Sequence, residues 1–199
     1  MTQQVEFYFD YGSPASYLAW TQLPGLPART GAVIVHRPIL LGGVFKATGN
    51  SSPISVPAKG AYMGRDLERC ARHMGVTFRS NDAFPINTLG LMRGAVAAQR
   101  DEILEPYSAA VFEAIWTQNR DMGQPETIVA VLEAAGLDAR GLMERTADPA
   151  IKDELKANTE QAVSRGVFGA PTFFVGGEMF WGQDRLDHVE RALREGATG

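Results

Sequence analysis

The segment from Asp10 to Tyr17 has residue types that could hold a reactive anion. Ser13 followed by Pro14 is typical of a helix start, with Ser at the N-cap and Pro at the first helical position. The free backbone N–H groups and the positive dipole end of a helix start favour a thiolate over a thiol. Ser13 could add one O–H donor to such a thiolate, or it could serve only as a helix cap.

Two further segments near the C-terminal end could complete a site. In residues 167–172, a proline follows a Gly-rich turn and leads directly into a strand. With a cis Ala170–Pro171 bond, Ala170 would present its backbone to a peptide-like ligand, whereas a trans Pro171 would only start an edge strand; the sequence leaves both open. In residues 180–185, Asp184 is predicted to cap the last helix. There, Asp184 could bind an ammonium group, or the backbone N–H groups beside it could bind a carboxylate.

The elements that must position these segments follow a β-α-β, helical, β-β-α order. Strands rich in aromatic and β-branched residues are predicted at Val5–Asp10, Val33–Leu41, Thr172–Val175 and Met179–Trp181, with Pro38 interrupting the second. Gly176 and Gly177 indicate a hairpin between the last two strands. The order predicts an α/β, thioredoxin-like fold (residues 1–41 and 167–199), a long loop at 42–60 and a helical insertion at 61–166.

In a thioredoxin fold the redox motif Cys-x-x-Cys lies between the first strand and first helix. Here those positions are Ser13, Pro14, Ala15 and Ser16, and a hydroxyl cannot cycle through a disulfide. The one cysteine, Cys70, falls on the predicted apolar face of a helix, where a small core residue is expected. Disulfide oxidoreductase chemistry is therefore disfavoured, and any thiol must come from a ligand.

The composition excludes several classes of function. Of 199 residues, 45% are hydrophobic and 21% charged, which predicts a compact fold. The net charge of −4 and the lack of a basic run argue against nucleic-acid binding. No apolar run is long enough for a membrane span, no signal segment is evident, and a cytoplasmic location is expected. His36, His73 and His188 are scattered, so no metal site is predicted.

Four motifs together resemble the 2-hydroxychromene-2-carboxylate isomerases, a glutathione-dependent family close to DsbA and the kappa-class glutathione transferases. The motifs are FYFDYGSPASYL, KATGNSSPISVPAKGAYMGRDL, GVFGAPTFFV and FWGQDRLDHV, and the resemblance covers essentially the whole chain. One departure is Ala15, where relatives often carry an aromatic residue, and it bears on the substrate pocket more than on the glutathione site.

The resemblance implies a glutathione site with a catalytic serine, Ser13, facing the sulfur. It implies that Asn50 and Lys59, in the loop at 42–60, contact glutathione. It implies that Ala170, before cis Pro171, pairs with the cysteinyl backbone. Asp184 and Arg185 match the region that holds the γ-glutamyl end. A homodimer is suggested by the family alone.

The implied reaction is cis-trans isomerisation of 2-hydroxychromene-2-carboxylate, or a similar aromatic keto acid, by reversible thiolate addition. Lys46, Lys59 and Arg65 are candidates for binding the substrate carboxylate. Tyr62 and Trp181 could supply pocket walls, but as aromatic residues of apolar faces they are expected in the core. A kappa-like transferase on the same site and a non-catalytic ligand-binding module on the same scaffold are the alternatives. The sequence does not identify the physiological substrate or pathway.

Overall fold

The aromatic first strand occupies the centre of a four-stranded mixed sheet. The computed structural model describes residues 3–196. Strand β1 (Gln4–Phe9) pairs in parallel with β2 (Val33–Pro38) and antiparallel with β3 (Thr172–Val175), and β4 (Glu178–Trp181) continues beyond β3. The strand order β2-β1-β3-β4 places the C-terminal hairpin beside the N-terminal strand. The end of β1 and the start of β3, which are far apart in sequence, therefore meet at one edge of the sheet.

The helices cover the sheet and form a separate block between β2 and β3. None in residues 3–196 is long and apolar enough to cross a membrane. Short 3₁₀ turns lie at Pro53–Ser55 and Gln183–Arg185. The α-helices are α1 (Pro14–Gln22), α2 (Gly25–Thr30), α3 (Leu41–Thr48), α4 (Pro57–Met74), α5 (Leu89–Arg100), α6 (Leu104–Trp116), α7 (Pro125–Ala134), α8 (Ala139–Arg145), α9 (Pro149–Ser164) and α10 (Leu186–Gly196).

A continuous aromatic cluster joins the sheet to the helical block. The Phe9 and Phe112 rings both contact Tyr11, with centroids 5.4 and 4.8 Å away. Trp116 Nε1 donates a hydrogen bond to the Tyr11 carbonyl at 2.8 Å, and the Tyr11 hydroxyl lies 2.7 Å from Ser108 Oγ. Because these polar atoms are buried with partners, they fix orientation as well as position. The loop between β1 and α1 is thus held rigidly by the insertion.

The structure confirms the predicted fold and much of its local detail. Helix α1 begins at Pro14 with Ser13 as its N-cap. Strand β2 ends at Pro38, which pairs with Phe9 at the end of β1, and the Ile39 N–H still donates to the Phe9 carbonyl at 3.1 Å. The hairpin turns through Gly176 and Gly177, with Val175 paired to Glu178.

The prediction of a long loop at residues 42–60 is wrong. Helix α3 occupies Leu41–Thr48, a 3₁₀ turn follows, and α4 already begins at Pro57. The richness of this segment in Gly, Ser and Pro predicts a loop, but Gly43 serves close packing in a helix: a Cβ there would lie 3.2 Å from Thr159 Cγ2 in α9. The helix ends instead at Gly49, whose φ of 72° is the left-handed conformation that glycine adopts at helix C-termini.

Candidate active site

A cavity of about 490 Å³ opens where the N-terminus of α1 meets the turn before β3. Its walls come from five separated parts of the chain: the β1–α1 loop, the segment from α3 to α4, Phe84 between α4 and α5, the turn before β3, and the segment from the end of β4 onward. Every residue predicted for the site lines this cavity, namely Ser13, Asn50, Lys59, Ala170, Pro171, Asp184 and Arg185. The fold therefore brings together residues that the sequence separates by up to about 170 positions.

Ser13 connects the two halves of the floor. Its hydroxyl donates a 2.8 Å hydrogen bond to the carbonyl of Ala170 and accepts one from the Ser16 N–H at 3.1 Å. Its side chain is therefore both the N-cap of α1 and a bridge to the turn before β3. With an exposure of 4%, Ser13 lies at the bottom of the cavity rather than on its rim.

Backbone donors remain free beside Ser13. Pro14 has no N–H, and the Ser13 hydroxyl occupies the N–H of Ser16, so the Ala15 N–H is left as a free donor of the first turn. Among residues 3–196 the Ala170 N–H also donates no hydrogen bond, and the Ala170–Pro171 peptide is cis, one of the two isomers left open by the sequence. The floor thus combines a helix N-terminus with unused main-chain groups, an arrangement suited to an anionic, peptide-like ligand.

Asp10 holds the loop that carries Ser13. Its carboxylate accepts hydrogen bonds from the N–H groups of Gly12 at 2.9 Å and Leu41 at 2.8 Å, and from Thr88 Oγ1 at 2.7 Å. Its backbone carbonyl accepts the Ser13 N–H at 3.0 Å. Complete burial raises the pKa of this carboxyl, and the three donors oppose that rise. Asp10 thus ties the site loop to α3 and to the helical block, a role that the prediction of a bare loop after β2 did not foresee.

The two polar residues of the α3–α4 segment lie on one wall. Asn50 Nδ2 donates to the Phe168 carbonyl at 2.9 Å, and Asn50 Oδ1 accepts the Ser51 N–H at 2.9 Å. Lys59 is exposed on the first turns of α4 and forms no ion pair with any residue that the structure describes. Asn50 therefore braces the turn before β3, while Lys59 offers an uncompensated positive charge to the cavity.

The segment after β4 brings Asp184 and Arg185 to the cavity, and their side chains form an exposed 3.1 Å ion pair. The prediction that Asp184 caps the last helix is wrong. Asp184 lies inside the 3₁₀ turn, and α10 begins only at Leu186. The turn forms because Gly182 adopts a φ of 112°, which few other residues tolerate, and its carbonyl accepts the Arg185 N–H at 3.3 Å.

An apolar wall completes the cavity, and the sequence did not reveal most of it. Phe45, Met63 and Phe84 contribute side chains from α3, α4 and the helical block, and Trp181 contributes from β4. Trp181 is 50% exposed, so the expectation that it is a core residue is wrong. A Cβ at position 169 would lie 2.6 Å from Trp181 Nε1, so Gly169 makes room for the indole. The one sequence signal that Trp181 lies at the site was its position two residues before Gln183 and three before Asp184.

The remaining candidates lie outside this cavity. Tyr62, expected in the core, is 60% exposed and is not among the lining residues. Arg65 does not line the cavity, and Lys46 lines a different one. Cys70 is half-buried and accepts a 3.6 Å contact from Gln183 Nε2. Residues 3–196 contain no cluster of three or more His, Cys, Asp or Glu side chains that could hold a metal ion.

Comparison with known proteins points to one group of relatives. The family model for the DSBA-like thioredoxin domain matches residues 4–194. A 2-hydroxychromene-2-carboxylate isomerase of Sphingobium xenophagum is 38% identical over 97% of this chain and 99% of its own length. Glutathione S-transferase kappa 1 of Homo sapiens is 32% identical over 98% of this chain and 92% of its own.

The three-dimensional comparison agrees with the sequence comparison. A solved structure of a 2-hydroxychromene-2-carboxylate isomerase superposes with a TM-score of 0.87 at 31% identity, covering 98% of both chains. The similarity therefore includes the helical block and the α3–α4 segment as well as the thioredoxin-like sheet.

Proposed function

This chain belongs to the 2-hydroxychromene-2-carboxylate isomerase family of DSBA-like thioredoxin domains, and we propose that it is a glutathione-dependent cis-trans isomerase of an aromatic keto acid. The substrate class is 2-hydroxychromene-2-carboxylate or a similar conjugated compound. The observation that carries the proposal is the hydrogen bond between Ser13 and Ala170 at the floor of one cavity that all the predicted glutathione contacts line.

The residues present fit a small thiol peptide such as glutathione. The unused N–H groups of Ala15 and Ala170 suit a thiolate and a cysteinyl backbone respectively. Lys59 suits a carboxylate, and the paired charges of Asp184 and Arg185 suit a zwitterionic end that has both an ammonium and a carboxylate. Together these groups match in kind the polar ends of a thiol tripeptide.

Bound glutathione would supply a thiolate that adds reversibly to a conjugated C=C, so that the former double bond can turn as a single bond. Ser13 stabilises this anion by turning its O–H from the Ala170 carbonyl toward the sulfur, while it keeps the Ser16 N–H as a donor to its oxygen. Asp10 holds the loop in place during this change. Ser13 is not itself attacked.

The apolar wall would hold the aromatic ring of the substrate. Phe45, Met63 and Phe84 provide a surface for a planar ring, and the small Ala15 leaves space beside Ser13. Neither Lys46 nor Arg65 lines this cavity, so Lys59 and Arg185 are its candidates for binding the carboxylate of the substrate.

Absorbance-monitored turnover of 2-hydroxychromene-2-carboxylate, with and without glutathione, tests the proposal. We expect conversion to trans-o-hydroxybenzylidenepyruvate only with glutathione, whose concentration stays constant through the reaction. Conversion that proceeds equally without glutathione would contradict the borrowed thiol.

A kappa-like transferase is the second candidate, because the human kappa-class relative matches this chain over nearly its full length. It would consume glutathione and leave it attached to the product, which mass spectrometry of the product distinguishes. Glutathione binding by calorimetry without turnover of any conjugated ketone would indicate a ligand-binding module instead. A cytoplasmic homodimer is part of our proposal, and sedimentation of the purified chain and fractionation of the source cells test it.

A further inference from the structure

A second cavity, of about 710 Å³, lies between α3, α5 and α9. This volume falls in the range of small-molecule pockets, which is about 300–1,000 Å³. It is separate from the candidate active site, because different faces of α3 line the two. Leu41 and Phe45 line the active-site cavity, whereas Gly43 and Ala47 line the second one.

The second cavity has an apolar floor and a positively charged rim. Leu40, Leu89, Leu155 and Val163 supply the floor. The cations on its lining outnumber the carboxylates: they are Lys46, Arg93, Lys152 and Lys156, against Asp153 and Glu160. Lys156 and Glu160 form only a long, exposed ion pair of 3.8 Å, so the rim keeps an excess of positive charge.

Arg93 is the feature that points to a ligand. Its Nε is buried, yet it has no hydrogen-bond partner among the residues that the structure describes. Buried polar atoms in native proteins nearly always have a partner, and a guanidinium N–H left without one is costly. Arg93 also forms no ion pair and donates no hydrogen bond to any residue that the structure describes, so where its guanidinium lines the cavity it is available to a carboxylate.

We propose that the second cavity binds an apolar monocarboxylate, with its hydrocarbon or aromatic body on the leucine floor and its carboxylate on Arg93. The sign of the rim selects an anion, and the floor selects an apolar body over a sugar or nucleotide. Lys46 and Lys156 are exposed and Lys152 is half-buried, so their charges attract the anion while Arg93 fixes its position. The site is distinct from the glutathione cavity and does not depend on the proposed isomerase activity.

Isothermal titration calorimetry with 2-naphthoate tests the site, with the uncharged 2-naphthylmethanol as the matched probe. The titrations are made with glutathione present at saturation, so that only the apolar wall of the first cavity stays open to the probe. We expect one 2-naphthoate per chain and binding of the alcohol at least about tenfold weaker, since tenfold corresponds to the loss of one modest interaction. Arg93→Met should weaken 2-naphthoate binding about tenfold or more.

Two further variants decide which cavity is occupied. Ala47→Trp puts an indole into the second cavity from an exposed helix position, so the chain should fold normally while 2-naphthoate binding is lost. Lys59→Met, in the first cavity, should leave 2-naphthoate binding unchanged. Loss of binding in Lys59→Met with retention in Ala47→Trp would overturn the proposal, as would equal affinity for the alcohol or no binding at millimolar concentration.

Sedimentation velocity of the same variants covers the other possible occupant. The proposal expects Ala47→Trp to keep the oligomeric state of the unsubstituted chain. If Ala47→Trp instead turned a dimer into a monomer, a second copy of the chain would occupy the cavity and the proposal would be wrong.

Discussion

Replacing Ser13 with Ala removes one side-chain oxygen that has two separate roles. The oxygen caps α1 through the Ser16 N–H, and its O–H bonds the Ala170 carbonyl at 2.8 Å. Loss of an N-cap typically costs about 1 kcal/mol in the free energy of unfolding, so the fold should survive. The larger effect should be on the bound thiol, because the donor that would face the sulfur is gone.

The size of that effect follows from the value of one hydrogen bond to a charged group, about 1.5–3 kcal/mol. At 1.36 kcal/mol per pKa unit, its loss should raise the pKa of the bound glutathione thiol by about 1–2 units. Below that pKa the thiolate fraction falls by about 10- to 100-fold. A more basic thiolate is more nucleophilic with a Brønsted slope of about 0.4–0.5, which offsets roughly half of this on a logarithmic scale. The expected loss in kcat/KM is therefore about 3- to 10-fold at low pH, with recovery at high pH.

The assay is a pH profile of kcat/KM for isomerisation, with the thiolate of enzyme-bound glutathione titrated by its ultraviolet absorbance. Both profiles should shift upward together by about 1–2 pH units in Ser13→Ala, because both report the ionisation of the same thiol. Calorimetric titration with glutathione shows whether the variant still binds glutathione, and so distinguishes a less stabilised thiolate from a loss of glutathione binding.

Ser16→Ala is the matched control, because it removes the other buried hydroxyl of the same helical turn. Ser16 Oγ is buried and has no hydrogen-bond partner among the described residues. We expect unchanged pH profiles and a stability change within about 0.5 kcal/mol, in the direction that favours Ala in a helix. An unshifted thiol pKa in Ser13→Ala, or an equal shift in Ser16→Ala, would refute the role assigned to Ser13.

Three other predictions concern stability. Burial lowers the pKa of the His36 imidazole, although Glu105 opposes this. Stability in urea denaturation should therefore fall as the pH drops below about 6.5, where the unfolded chain binds the proton more readily. His36→Gln should flatten this dependence, and an unchanged slope would contradict the prediction. Asp10→Asn replaces an acceptor oxygen by a donor NH₂ that would face one of the three donors now bound to the carboxylate. Urea denaturation should show that the free energy of unfolding falls by about 1–3 kcal/mol. An unchanged free energy would show that the hydrogen bonds of Asp10 do not stabilise the fold. Gly94→Ala would put a Cβ 2.8 Å from Tyr107 Cζ and should lower stability by about 1–3 kcal/mol. In the same helix, a Cβ at Gly90 would meet nothing within 4 Å, so Gly90→Ala should raise stability by up to about 1 kcal/mol. Thermal melts in which both variants change stability in the same direction would contradict this pair of predictions.

The sequence alone determined the local elements and the chemistry that the chain lacks. Ser13 before Pro14 predicted the start of α1, Pro38 predicted where β2 stops, and the paired glycines at 176 and 177 predicted the hairpin. Each depends on a residue whose backbone or side chain restricts its own neighbourhood. The serines in place of both cysteines made disulfide exchange a disfavoured reaction for the same local reason.

Only the tertiary structure decided how distant segments combine. Helix α3 forms although it contains two early glycines, because Gly43 packs against α9 and Leu41 N–H is held by buried Asp10. Trp181 lies on a cavity wall rather than in the core, and the orphaned Nε of Arg93 becomes visible only when α5 meets α3 and α9. These features depend on contacts between residues that are far apart in sequence and on which side chains line a cavity. The spacing of residues along the chain predicts neither.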